Sequence, residues 1–316
     1  MKTVVVTGAA GFIGRNLTKE LLNKGYFVIA IDNLSKGKIE NIEEFFKNKN
    51  FTFAKTDIKD VDEVLNIFKT YVPDTVFHLA ANAELQYSID RPIETNNVNV
   101  NGTLNILEVS KKTNVKRLIF ASSSGVYGDV NVDDISEYEE KKPISPYTAQ
   151  KLIGEIYCKL YYDLYGLETI SLRLFNVYGP WQNSEGSYAA LIPKTIRRCL
   201  DYESPEIYGD GFKTRDFIYV DDVIKAFIKA GTTENKDCLG ESFNVGKGIS
   251  TTVNIIIDEI LVQTDRTNLN IKKLPSVIEP EYIKADIDKA IRVLGWKPAI
   301  DISTGIKRTV KYFEDE

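Results

Sequence analysis

Histidine is almost missing from this chain: His78 is the one example in 316 residues. That excludes multi-histidine metal sites, and no metal centre is expected. Cysteine is scarce too. Cys158, Cys199 and Cys238 are odd in number and far apart, which argues against a disulfide framework and against a zinc knuckle. No apolar run reaches about 18 residues, so no membrane span is expected. Basic residues hold no surplus. Forty Lys+Arg face 45 Asp+Glu, a net charge of −5, with no basic block of the kind nucleic acid demands. Met1-Lys2-Thr3-Val4-Val5-Val6 enters an apolar strand without a signal-peptide cleavage region. A cytoplasmic α/β enzyme is the expectation.

What is present is alternation. Strands are expected at Thr3 to Thr7, Phe27 to Ile31, Phe51 to Ala54, Thr75 to Leu79, Arg117 to Phe120 and Thr169 to Leu172. Helices are expected between them: Ile13 to Asn23, Val61 to Tyr71, about Thr95 to Lys112, and one starting at Pro146. Near-continuous apolar strands separated by helices predict a Rossmann-like, doubly wound parallel sheet covered on both faces. Beyond about Arg173 the pattern becomes turn-rich, as a smaller mixed α/β substrate-binding lobe would be. Phe217 to Val220, with a helix from Asp221, reads as one more strand–helix unit returning to the main sheet. The expected division is 1–173 plus about 215–247 for the dinucleotide domain, and about 174–214 plus 248–316 for the lobe.

Gly8-Ala9-Ala10-Gly11-Phe12-Ile13-Gly14 sits at the first strand-to-helix turn. Glycines there allow a tight turn and let a pyrophosphate approach the open amides of a helix N-terminus. Glycine also serves plain packing in tight turns, so context decides. Asp32 ends the second strand, where a carboxylate meets ribose hydroxyls and repels a 2′-phosphate, which favours NAD over NADP. Taken alone, Asp32-Asn33 is equally a turn former.

Ser145-Pro146-Tyr147-Thr148-Ala149-Gln150-Lys151 reads as a helix start, with Ser145 as N-cap and Pro146 at the first helical position. Tyr147 and Lys151 then share one face. Such pairs are common on solvated helices, but this one follows a cofactor loop and a serine-ended strand. A free tyrosine with a pKa near ~10 is a poor base, whereas a lysine ammonium and a positive nicotinamide ring both favour the phenolate. Ser122, Ser123 and Ser124 are candidates for the hydroxyl that steadies a reacting alcohol. His78 reads as a packed strand-end residue.

These motifs, in this order, resemble the extended short-chain dehydrogenase/reductase family, within its nucleotide-sugar epimerase and dehydratase group. They are Thr7 to Gly14, Asp57-Ile58, His78 to Ala81, Asn99 to Thr103, Ser122 to Gly128, Tyr147 to Lys151, Phe175 to Pro180 and Tyr208 to Val220. The resemblance implies bound NAD. It implies that Gly8, Gly11, Phe12, Ile13, Gly14, Asp32, Asn33 and Ser35 bind the cofactor, and that Asp57 and Ile58 lie by its adenine. Leu79, Ala80, Ala81, Asn99, Ser122 and Phe175 are implied around the same cofactor, with Tyr147 and Lys151. Counting back four from Tyr127, as the family motif runs, selects Ser123 as the catalytic hydroxyl beside Tyr147 and Lys151. For a nucleotide-sugar substrate, a UDP-sugar above all, it implies Ser123, Ser124, Tyr147, Asn176, Ala190, Leu191, Tyr208, Arg215 and Glu279. Arg215 reads equally as a surface ion-pair residue beside Asp210 or Asp216.

Related 4,6-dehydratases carry an Asp-Glu pair where this chain has Ser124 and Gly125, and related decarboxylases place a Glu at Gly125. The resemblance therefore implies an epimerase acting at C4, on UDP-glucose/UDP-galactose or the N-acetyl analogues. A C4 dehydrogenase or ketoreductase that releases its cofactor, and a non-catalytic NAD-binding regulator, are the competing readings. A second phosphate-binding arginine is usual in the family. Here that position is Ser276, with Lys272, Lys273 and Lys284 as nearby cations. By resemblance a homodimer is expected, through the helix at about Asn96 to Lys112 and the catalytic helix. Ile153, Ile156, Tyr157 and Leu160 form a stripe that suits either a dimer contact or the core.

Overall fold

The computed structural model describes residues 2–130, 132, 134–185, 189–276 and 282–316. Its strands are β1 (Thr3–Thr7), β2 (Phe27–Asp32), β3 (Phe51–Lys55), β4 (Thr75–His78), β5 (Arg117–Ser123), β6 (Glu168–Leu174), β7 (Asn176–Tyr178), β8 (Glu206–Tyr208), β9 (Thr214–Arg215), β10 (Phe217–Tyr219), β11 (Glu241–Val245), β12 (Thr251–Thr252) and β13 (Lys272–Leu274). The helices are α1 (Phe12–Asn23), α2 (Val61–Tyr71), α3 (Leu85–Asp90), α4 (Pro92–Asn96), α5 (Gly102–Lys112), α6 (Pro146–Tyr165), α7 (Leu191–Leu200), α8 (Val220–Thr232), α9 (Val253–Gln263) and α10 (Ile302–Asp315).

Seven strands form one parallel sheet in the order β11-β6-β5-β4-β1-β2-β3. Alternation along each strand feeds both faces. Val4 and Val6 join Leu17, Leu21 and Phe227 in one cluster, while Val5 joins Val64, Phe68 and Leu107 in the other. Burial on both faces explains why these strands read as unbroken apolar runs. The first cluster continues to Ile192, Ile196 and Phe313, in segments expected to form the smaller lobe. Among the described residues, no helix is long and apolar enough to cross a membrane.

Two expectations change. Phe217–Tyr219 does not return to the main sheet. It pairs in parallel with Asn176–Tyr178 in a two-stranded ribbon of its own. The seventh strand is Glu241–Val245, after α8, in register with β6. Its polar Glu241, Ser242 and Asn244 hid it from a search for apolar runs. The helix expected at about Thr95 to Lys112 begins at Pro92 and contains a π turn over Asn97–Asn101.

The helix ends follow their sequences. Ser145 accepts from the Thr148 amide, and Thr148 reciprocates in a capping box ahead of Pro146. Gly166, with φ of 70°, closes the far end of α6 in the left-handed region. Twenty residues of helix are thereby held with the Tyr147 end at the sheet's carboxyl edge.

Candidate active site

The strand order reverses at β1 and β4, and the chain opens a cleft of about 490 Å³ there, at the carboxyl edge of the sheet. Gly8, with φ of 71°, turns the chain out of β1. Gly11 caps α1 without any side-chain hydrogen bond, so the first-turn amides of Phe12, Ile13 and Gly14 remain open to an anion. Gly8 and Gly11 line the cleft directly; Phe12 and Ile13 turn their side chains towards the core.

Asp32 lines the same cleft and is buried. One carboxylate oxygen accepts from the Ala10 amide at 3.0 Å, the other from Leu34 at 2.8 Å. Burial pushes this carboxyl up and the two amides hold it down. The turn-forming role of Asp32 is thus real, and it presents the carboxylate to the cleft as well. Asn33 reaches Asp57 at 3.0 Å, and Ser35, Ile58, Leu79, Ala80 and Ala81 complete the expected wall. Open amides, a glycine turn and an aligned carboxylate fit a dinucleotide. Asn82 and Tyr87 also line the cleft and were missed, because they lie in a loop and a short helix without a motif.

Three other expected cofactor residues stand apart from this cleft. The Ser122 hydroxyl donates to Glu155 at 2.5 Å on the α6 side of the sheet. Phe175 is buried with Val126, Tyr127, Ile135 and Ala285. Asn99 is buried in the π turn, where it accepts from the Asn82 amide at 2.8 Å and donates to the Asn82 carbonyl at 2.9 Å and to Gln150 at 2.7 Å. Asn99 therefore positions a loop that lines the cleft. His78 is packed as expected, its ring nitrogens bonded to Thr7 at 2.7 Å and Thr103 at 2.9 Å. Burial, then the nearby Lys151 charge, push its pKa down to about 3.

Ser123 ends β5 and Ser124 opens the short 3-10 turn after it, while Tyr147 and Lys151 lie in the first turns of α6. Burial pushes the Tyr147 phenol up, and a hydrogen bond with the Ser123 hydroxyl works against it. Ser123 also accepts from the Gly125 amide at 3.1 Å. The Lys151 ammonium lies 6.0 Å from the Tyr147 ring centroid and donates to the Ala121 carbonyl at 2.7 Å. Burial lowers the Lys151 pKa to about 8. Burial, with the Ser123 hydrogen bond against it, sets the phenol in this arrangement, and Lys151 makes no resolved contribution. A bound nicotinamide would add positive charge that favours the phenolate.

A second cleft, of about 460 Å³, opens beyond β6. Asn176, Ala190, Leu191, Tyr208 and Arg215 all line it, although they come from four separate elements or their caps. Arg215 donates to the Thr214 carbonyl at 2.7 Å. The neighbouring Asp216 is fully buried and accepts from the amides of Lys247, Gly248 and Ala285. Lys194, Arg198 and Lys213 line the cleft too and were missed. The available signal was Lys194 and Arg198 at i, i+4 on one helix face. Lys272 pairs with Glu206 and Lys284 with Asp134; neither these two nor Lys273 appears in the described lining. Glu279 lies outside the described residues.

Over residues 4–246 the sequence matches the NAD dependent epimerase/dehydratase family. It is 35% identical over 317 residues to the UDP-glucose 4-epimerase of Mycolicibacterium smegmatis, covering 100% of this chain and 99% of that protein. Among solved structures, the Thermotoga maritima UDP-glucose 4-epimerase with UDP-glucose is 37% identical, with a TM-score of 0.92 over 99% of each chain. The UDP-N-acetylglucosamine 4-epimerase of Methanobrevibacter ruminantium M1, in complex with UDP-N-acetylmuramic acid, is 38% identical, with a TM-score of 0.93 over 99% of this chain and 98% of that one. With its glycine turn, its buried Asp32 and its Ser-Tyr-Lys set in place, the chain belongs to the NAD-dependent epimerase/dehydratase family.

Proposed function

We propose that the protein inverts C4 of a UDP-hexose through a 4-keto sugar, with NAD as its resident cofactor. The observation that carries this reading is topological. Ser123, Tyr147 and Lys151 converge at the end of β5, whose sheet neighbours β4 and β6 lead into the two clefts. In this reading a sugar held from one cleft meets a cofactor held from the other at Tyr147.

When bound, NAD would supply the hydride acceptor and donor for C4. Tyr147 removes the proton of the C4 hydroxyl and gives it back on return. Ser123 hydrogen-bonds the same oxygen as alcohol and ketone interconvert. Lys151 keeps a positive charge beside the phenol. Neither position where the related dehydratases and decarboxylases carry an acid has one here: position 124 is a serine, and a Cβ on Gly125 would lie 2.5 Å from the Thr148 methyl. Rotation of the keto sugar between its two faces needs a separate anchor, and the second cleft supplies one for the nucleotide.

The test is direct. Purified protein given UDP-galactose without added NAD should form UDP-glucose, and a panel of UDP-hexoses should rank its substrates. Net consumption of added NAD, with an oxidised sugar accumulating, would instead identify a dehydrogenase.

A homodimer and a cytoplasmic location belong to the same reading. Ile156, Leu160 and Leu164 on α6 are exposed, as are Leu85, Ile89 and Ile93 on α3 and α4, the helices packed beside α6. A face of that kind suits a second copy. Sedimentation at micromolar concentration should give a dimer, and a monomer would reject it. Three free, buried cysteines fit a reducing compartment.

A further inference from the structure

The second cleft carries more positive charge than its motif residues account for. Lys194, Arg198, Lys213 and Arg215 line it, and among its described lining the carboxylate is Glu206. Three cations converge on Glu206: Lys194 at 3.2 Å, Lys272 at 3.3 Å and Arg198 at 3.5 Å. Glu203 takes up part of the Arg198 charge, so two carboxylates meet these three cations, and the side chain of Glu206 is only 15% exposed.

These three cations are not equivalent. Arg198 spends its fork inside the protein, donating to the Ser204 carbonyl at 2.8 Å and pairing with Glu203 at 3.2 Å besides Glu206. Lys272 stands outside the lining. Lys194 is in the lining, half-buried, and an ammonium has three donors, of which Glu206 takes one. Its amide donates to the Ala190 carbonyl at 3.2 Å, so it sits one turn above Ala190. A helical side chain lies over the turn N-terminal to its own Cα. Lys194 therefore covers the start of α7, where Ala190 makes no side-chain cap. The ammonium and the first-turn amides address the same space.

We propose that Lys194, steadied by Glu206, is a second cationic ligand of the substrate's diphosphate, acting with Arg215. Ser276, beside Gly209, offers only a hydroxyl. This inference rests on the UDP-hexose reading and names the residue that completes its anion subsite.

The experiment measures UDP and uridine binding by calorimetry to the wild-type protein and to Lys194→Met, Lys194→Arg and Lys272→Met. Lys194→Met should weaken UDP by about tenfold, as loss of a charged hydrogen bond does. Uridine, which lacks phosphate, should bind all four proteins within about twofold, reporting an intact fold; Lys194→Arg should recover part of the UDP affinity. In turnover, Lys194→Met should raise KM with kcat little changed. Unchanged UDP affinity in Lys194→Met overturns the proposal. So does an equal loss in Lys272→Met, because the effect would then belong to the field around Glu206. If wild-type protein binds uridine and UDP equally, no diphosphate subsite exists, and the inference falls while base recognition survives. If it binds neither, the UDP-hexose reading fails first and takes the inference with it.

Discussion

The carbonyl oxygen of Gly8 occupies the place that a Cβ on Gly14 would need. Gly8 itself is pinned, since its own Cβ would lie 2.8 Å from the Ala80 amide nitrogen and its φ is positive. The glycines thus serve the closure of β1, β4 and α1 on one another before any cofactor arrives. Gly14→Ala should lower stability by about 1–3 kcal/mol, the range for overpacking a tight site, and should weaken NAD binding. Gly11→Ala should be milder, because its Cβ would stand 3.3 Å from the Gly8 oxygen. Thermal unfolding of the two variants, with and without NAD, checks the ranking.

Tyr147→Phe removes a hydroxyl and little volume. The fold and NAD affinity should stay close to wild type, while turnover drops by about two to four orders of magnitude, as expected for loss of a general base. Turnover within about threefold of wild type would take Tyr147 out of the mechanism.

Much of this site is visible in the sequence because it depends on local chemistry. Gly8 to Gly14 needs a turn, Ser145-Pro146 needs a cap, and Tyr147 with Lys151 needs one helical turn; each requirement leaves a mark within seven residues. The rest depends on contacts between distant segments. Ser122 and Ser123 are adjacent serines on β5, yet one faces Glu155 and the other Tyr147, because side chains alternate across a strand. Nothing in the serine run says which is which without the register to α6. Lys194 reads as an ordinary polar helix residue until Glu206, from another element, is placed beside it.

His78 stays neutral in the fold because burial and the Lys151 charge hold its pKa near 3, against 6.5 for the ordinary imidazole. Between those values the unfolded chain binds a proton that the folded chain refuses. Stability from this residue is complete above pH 6.5 and is lost as the pH falls towards 3. The slope inside that window is about 1.4 kcal/mol per pH unit for one proton. His78→Gln should remove that share, so its stability between pH 6 and 5, followed by urea unfolding, should fall less steeply than that of wild type. Equal slopes would mean that His78 titrates alike in both states.

Glu155 and Arg173 form a buried pair, each side chain 6% exposed, at the back of the catalytic helix. Arg173 donates to Glu155 at 2.7 Å through one nitrogen and at 2.9 Å through Nε, and its remaining nitrogen reaches the Tyr127 hydroxyl at 2.8 Å. Tyr127 in turn donates to Asn244 at 2.6 Å, and Ser122 and Ser242 donate to Glu155. The pair therefore ties α6 to β5, β6 and β11, one helical turn beyond Lys151. Glu155→Gln keeps the shape but leaves Arg173 charged and without its carboxylate, which should cost about 3–5 kcal/mol. Glu155→Met with Arg173→Met removes both charges together. If the single loss is mainly an uncompensated buried charge, the double variant should be more stable than Glu155→Gln, and the cycle should show strong coupling. The Tyr127 hydroxyl would keep Asn244 as its acceptor in that variant. Additive losses in the double variant would show instead that each side chain acts through its own separate contacts, and that the helix is not held by the pair.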